Sequence, residues 1–232
     1  MKETSDNQVD YKRLIHICQK EFQLRQQRLL ETIVNAKYQL LSDGTIVLPS
    51  SVPRPIALVA HYDNDPESLG YNDNGMAVVA ILGLLERLPD NVEVVFTNGE
   101  EIGFVGAETY LEMRKPQPRF CINLDVCGFG DRIYIDKMNS TCLDEIKDVV
   151  TGRMPGNDAY AFKRCGIESI CLSTSEGDDF NEGIDKIIRT IHNDCFDNNL
   201  NFINFGILPK VRDKVMEIIE IVNKRNLQLD ER

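Results

Sequence analysis

No apolar run in this chain approaches the roughly 20 residues needed to cross a bilayer, so no membrane span is expected. No two cysteines are spaced as Cys-x-x-Cys, and the seven present (18, 121, 127, 142, 165, 171 and 195) are odd in number. The opening stretch, MKETSDNQVD, lacks the apolar centre of a signal peptide. Together these features predict a cytoplasmic chain with reduced, mostly buried thiols and no disulfide scaffold. Bases are scarce: 26 Lys and Arg against 37 Asp and Glu give a net charge of −11. That argues against nucleic acid as a partner, since such binding rests on neutralising phosphates. Histidine is rarer still, with three in 232 residues, and tryptophan is absent.

What is present suits one α/β domain over residues 1–232. A chain of this length buries roughly 70% of the surface it exposes when unfolded, so its core needs no disulfide. An amphipathic helix is expected at about 9–35, with Leu14, Cys18, Phe22, Leu29 and Ile33 near one face. His16 lies in it as a structural or exposed residue. "KYQLLSDGTIVL" reads as a hairpin turning at Asp43-Gly44. "PIALVA", "VEVVF", "RFCINLDV", "RIYID" and "ESICL" read as strands. "NGMAVVAILGLLERL", "FVGAETYLEMR", "TCLDEIKDVV" and a last segment from Pro209 read as helices. The segments 128–131 and 174–191 read as loops. Alternation of this kind predicts a three-layer α/β sandwich, with a mixed, mostly parallel central sheet and helices on both faces. In open sheets of this type, sites gather beyond the carboxyl ends of the strands.

That rule gives meaning to residues that are unremarkable singly. His61 and Asp63 follow the strand at 55–60; they suit a metal ligand with an orienting carboxylate, or equally a polar pair at a loop entrance. Asp73 sits where an N-cap would. Glu100 and Glu101 follow the strand at 92–97, where acids favour the first turn of a helix. Asp125 closes another strand, where a turn-starting aspartate is common. His192 alone carries no signal. Taken together, acids converging on one rim would repel one another unless a cation neutralised them. Cys127 and Cys195 lie near these residues in sequence, and small buried hydrophobes are the simpler reading of both.

"AHYD", "NDNGMA", "NGEEIGFVGAETYL", "NLDVCG" and "IRTIHND" resemble, in order and approximate spacing, metallopeptidase family twenty-eight, the co-catalytic zinc aminopeptidases. The resemblance covers roughly residues 50–225, and the Glu-Glu-x-Gly-x-x-Gly stretch is its most specific part. It implies two zinc ions, although cobalt or manganese also fit such ligands. Asp73 would bridge them, His61 and Asp125 would hold one, and Glu101 and His192 the other. Glu100 would be the general base for a metal-activated water, and Asp63 would orient His61. A cis peptide at Asp73–Asn74 is also implied. The implied substrate is a peptide with a free N-terminus. One departure stands out: in "GNDAYAF", Asp158 and Phe162 match the family, but Ala159 stands where a histidine or another polar residue is common. Two alternatives remain. One is a glutaminyl cyclase-like or small-amide hydrolase, although such cyclases characteristically line the pocket with tryptophan. The other is a non-catalytic binding module, although such modules have lost ligands.

Overall fold

The computed structural model describes residues 2–136, 138–193 and 195–230. Two helices, α1 (Lys2–Ile17) and α2 (Phe22–Thr32), precede a hairpin of β1 (Gln39–Leu40) and β2 (Ile46–Leu48). Then come β3 (Ile56–His61), α3 (Met76–Leu82), β4 (Val92–Thr97), α4 (Val105–Met113), β5 (Phe120–Leu124) and β6 (Arg132–Asp136). The chain continues through β7 (Val150–Gly152), α5 (Ala159–Arg164), β8 (Glu168–Ser175), α6 (Phe180–Thr190) and α7 (Leu208–Asp230).

The strands form one mixed sheet of order β1-β2-β4-β3-β5-β8-β6-β7. Pairing is parallel for β3–β4, β3–β5, β5–β8 and β6–β7, and antiparallel at β1–β2, β2–β4 and β6–β8. β3, β4 and β5 are buried at every position, as strands covered on both faces must be. Their side chains alternate between layers. Ile56, Leu58 and Ala60 join the core beneath α1, α2, α3 and α7, while Ala57 and Val59 join the one beneath α4 and α5. Fully burying each of the larger side chains, Ile56, Leu58 and Val59, stabilises the fold by about 1.5–3 kcal/mol. The result is the expected three-layer α/β sandwich.

Three local expectations differ from the structure. The helix expected at about 9–35 is two helices, broken at 18–21. The bend lets Leu14 and Ile17 bury on one side of it, and Arg25 and Leu29 on the other. "TCLDEIKDVV" makes only a 3-10 turn at Cys142–Glu145, because Val150 pairs with Tyr134 of β6 and starts a strand. The 174–191 segment is the end of β8 followed by α6, whose N-cap Asp179 accepts the Glu182 N–H at 3.0 Å.

One buried ion pair ties the outer helices together. Arg212 of α7 grips Asp10 of α1 with both terminal nitrogens, at 2.9 and 2.8 Å. The same guanidinium donates to the carbonyls of Val79 and Ala80, in the last turns of α3, at 3.0 and 3.2 Å.

Candidate metal centre

Because β4, β3 and β5 are neighbours, their carboxyl ends form one rim. His61 is the last residue of β3, Asp125 follows β5 directly, and Glu100 and Glu101 lie in the turn after β4. Asp73 sits in a tight turn, Tyr71–Gly75, ahead of α3, with its own backbone non-helical at φ −112° and ψ 88°, and His192 comes just after α6. The structure brings all of them together. One oxygen of Asp73 is 3.1 Å from Nε2 of His61, and its other oxygen is 3.0 Å from Nε2 of His192. Asp125 lies 3.5 Å from Nε2 of His61, and Glu101 3.0 Å from Nε2 of His192. Asp63 lies 3.4 Å from the opposite ring nitrogen, Nδ1, of His61. The peptide bond Asp73–Asn74 is cis, as the resemblance implied.

These residues fit a divalent metal. Both ring nitrogens of the buried His61 lack a hydrogen-bond partner, although three carboxylates surround the ring. Ligand bonds to zinc of about 2.0–2.2 Å place neighbouring ligand atoms roughly 3.0–3.6 Å apart, which is the spacing seen here. His61, Asp73 and Glu101 can offer one atom each to a common ion. Two imidazoles with three carboxylates are a donor set suited to zinc.

Without a cation, the acids must share protons with their neighbours. Burial opposes charge on His61, yet Asp125, Asp63 and Asp73 hold its pKa well above the usual range. His192 is pushed up to about 11 by Asp73 and Glu101. Burial pushes the Glu100 carboxyl up to about 9, with Asp125, Asp158 and Asp73 adding to the shift and His61 opposing it. The adjacent glutamates are used differently. Glu101 faces His192 and accepts the Asp65 N–H at 3.1 Å. Glu100 lines a cavity of about 160 Å³ together with Asp73, Asp125 and His192.

Further hydrogen bonds hold these in place, and spacing alone did not reveal them. Asp63 accepts the backbone N–H of both Glu100 and Glu101, each at 3.3 Å, so it fixes the glutamate turn as well as His61. Asn74 donates to the Leu124 carbonyl at 2.9 Å and accepts from Val126 N–H at 3.1 Å, clasping Asp125 between them. Asp197, fully buried, accepts from Asn72 and Asp73 N–H at 2.8 and 3.1 Å and from the Ser68 hydroxyl. Nothing in its sequence context distinguishes it from other surface-loop acids. Asp158 is also buried and takes the Thr97 hydroxyl, while its other oxygen has no partner. Burial pushes its pKa up to about 7. Ala159 is buried beside it, in a small core with Tyr134, Met154 and Cys171. Val126, next to Asp125, and His192 itself have left-handed φ of 55° and 53°, as does Phe104, three residues after Glu101, at 66°. Non-glycine residues pay about 1–3 kcal/mol for such a conformation, and a packed site sustains it.

Apart from Asn157 and Ser173, the rest of the cavity is mostly apolar. Ile184, Ile187, Ile188 and Ile191, on α6 or just after it, face Val126 and Met154 across it. This wall was not expected, because its segment reads as a loop. The isoleucine spacing of three and four, behind the Asp179 cap, was the available signal. Cys127 is buried as expected, but Cys195 is exposed.

The model of peptidase family M28 matches residues 45–195. The chain belongs to peptidase family M28. Among curated M28 relatives, it is 32% identical over 116 residues to a vacuolar membrane protease of Vanderwaltozyma polyspora. That match covers 47% of this chain, which spans only 12% of the relative's length. Among solved structures, a zinc aminopeptidase from Bacillus subtilis superposes with a TM-score of 0.60 at 21% identity, over 74% of this chain and 48% of that one. A glutaminyl cyclase from Porphyromonas gingivalis superposes with a TM-score of 0.67 at 16% identity, over 96% of this chain and 98% of that one. At such identities the superpositions speak for the fold. Among the described residues, no helix is long and apolar enough to cross a membrane.

Proposed function

We propose that this M28 chain is an aminopeptidase, removing N-terminal residues from peptides at a two-zinc centre with Glu100 as general base. The observation that carries the reading is Asp73, whose two oxygens face two different imidazoles, at 3.1 and 3.0 Å. In this reading Asp73, His61 and Asp125 would hold one ion, and Asp73, Glu101 and His192 the other. When bound, zinc supplies a water of lowered pKa and polarises the scissile carbonyl. Glu100, projecting into the cavity, takes the water's proton as its oxygen attacks the carbonyl carbon. It returns that proton to the amine nitrogen as the C–N bond breaks. Asp63 keeps His61 and the glutamate turn oriented through both of its oxygens. The acidic rim favours a substrate's α-ammonium, and the isoleucine wall favours an apolar first side chain.

The test compares one leucine-led peptide with its N-acetylated twin, with products identified by mass. The free peptide should be shortened from its N-terminus, chelation should stop the reaction and zinc should restore it. Equal rates, or cleavage within the chain, would reject the aminopeptidase reading. A second reading, glutaminyl cyclisation, has one observation in its favour: the superposition on the Porphyromonas cyclase runs nearly end to end on both chains. A glutamine-led peptide separates the two. Hydrolysis releases free glutamine, whereas cyclisation releases ammonia and leaves a blocked peptide.

A further inference from the structure

Arg25 of α2 is 0% exposed, and it lies before the segment matched by the family model. A buried arginine usually meets a carboxylate, as Arg212 meets Asp10. Arg25 instead gives its guanidinium to three carbonyls: Tyr62 through Nε, Leu69 at 2.6 Å and Gly70 at 3.3 Å. All three belong to one segment, 62–70, and they stand at its two ends. The planar fork of donors therefore closes this segment into a strap.

The strap borders several parts of the centre. It begins beside His61 and contains Asp63. Its Asp65 N–H bonds Glu101 at 3.1 Å. Its Ser68 and Leu69 bond Asp197 and Asn198, in the loop that follows His192. It ends at Gly70, three residues before Asp73. Neighbours on α2 reinforce the grip. Gln26 donates to the Tyr62 hydroxyl at 2.8 Å, and the Phe22 ring stacks on Tyr62 with centroids 5.7 Å apart. Cys18 reaches the Gly70 carbonyl at 3.5 Å.

We infer that Arg25 is a positioning residue that sets the metal affinity of the centre by holding the 62–70 strap closed. The inference rests on the zinc reading above. Arg25 touches no candidate ligand side chain, so its effect passes through the strap backbone. Outer partners of metal ligands typically govern affinity by 10–100-fold.

The experiment uses the full chain stripped of metal, with zinc affinity read by competition with a chromophoric chelator and strap opening read by amide exchange over 62–70. Arg25→Met keeps the volume and removes every donor; it should bind zinc roughly 10–100-fold more weakly and exchange faster across the strap. Arg25→Lys restores one donor and should fall between Met and wild type. Arg212→Met, a buried arginine away from the strap, should lower the melting temperature without changing zinc affinity. If Arg25→Met does not fold, Arg25→Lys decides. Folded Arg25 variants that bind zinc as tightly as wild type would overturn the inference alone. A wild-type chain that takes up no zinc would overturn the reading of the centre, and this inference with it.

Discussion

Glu100 and Glu101 are chemically identical neighbours, and the turn after β4 sends them in different directions. Glu101 meets His192 and the Asp65 N–H, while Glu100 enters the cavity. Glu100→Gln removes a base and no ligand, so zinc should stay bound while turnover falls by about 10²–10⁴-fold. Glu101→Gln removes a ligand, so zinc should bind at least 10-fold more weakly, on the order seen for lesser perturbations. Zinc titration of both variants beside steady-state assays checks this, and exchanged phenotypes would reverse the two roles. At this scale legibility came from the set and not from single residues: His61, Asp63, Glu100, Glu101 and Asp125 follow successive strands and Asp73 precedes a helix, while His192, silent alone, was marked by the family resemblance. Asn74, Asp197 and Thr97 did not stand out, because they act by hydrogen bonds across 50, 124 and 61 residues of sequence, which spacing does not encode.

At the scale of elements, the inner strands were legible because β3, β4 and β5 are unbroken apolar runs. α6 was missed. Its isoleucines cover a cavity instead of a thick core, and its outer face is strongly polar. That placement gives it influence over substrate choice. Ile188 is 50% exposed yet lines the cavity, so it can be changed without emptying the core. Ile188→Ser should lower kcat/KM for a leucine-led peptide roughly tenfold relative to an alanine-led one, since each apolar contact in such a pocket is worth about 1–3 kcal/mol. Paired assays on the two peptides test this, and an unchanged ratio would remove α6 from the specificity surface. The segment at 142–149 was misread for the opposite reason. Its pattern suits a helix, but the edge of β6 captures Val150, which follows it.

For the whole molecule, the metal-free stability should carry a mark of its buried acids. Burial pushes Asp197 up to about 6 from its ordinary 3.8. The folded chain therefore holds this proton at pH values where the unfolded chain has lost it. Stability from this group is complete below about pH 4 and is lost as pH rises through about 6. The difference amounts to about 2–3 kcal/mol. Asp197→Asn cannot ionise, so relative to wild type it should gain stability between pH 4 and 7 in chelator. Denaturant midpoints across that range would show it, and a flat difference would mean Asp197 is not held neutral.

The Asp10–Arg212 grip also has a consequence for how the molecule comes into being. Its partners are 202 residues apart, and the groups that bear on Asp73 include His192 and Asp197. A ribosome adds about 5–20 residues per second. During most of that interval the nascent chain exposes His61, Asp73 and Glu101 without the residues that complete their surroundings. The centre can assemble only once residues 192–197 have emerged. Metal capture thus waits for residues 192–197, and a chain stalled before residue 192 would display acids without the means to organise them.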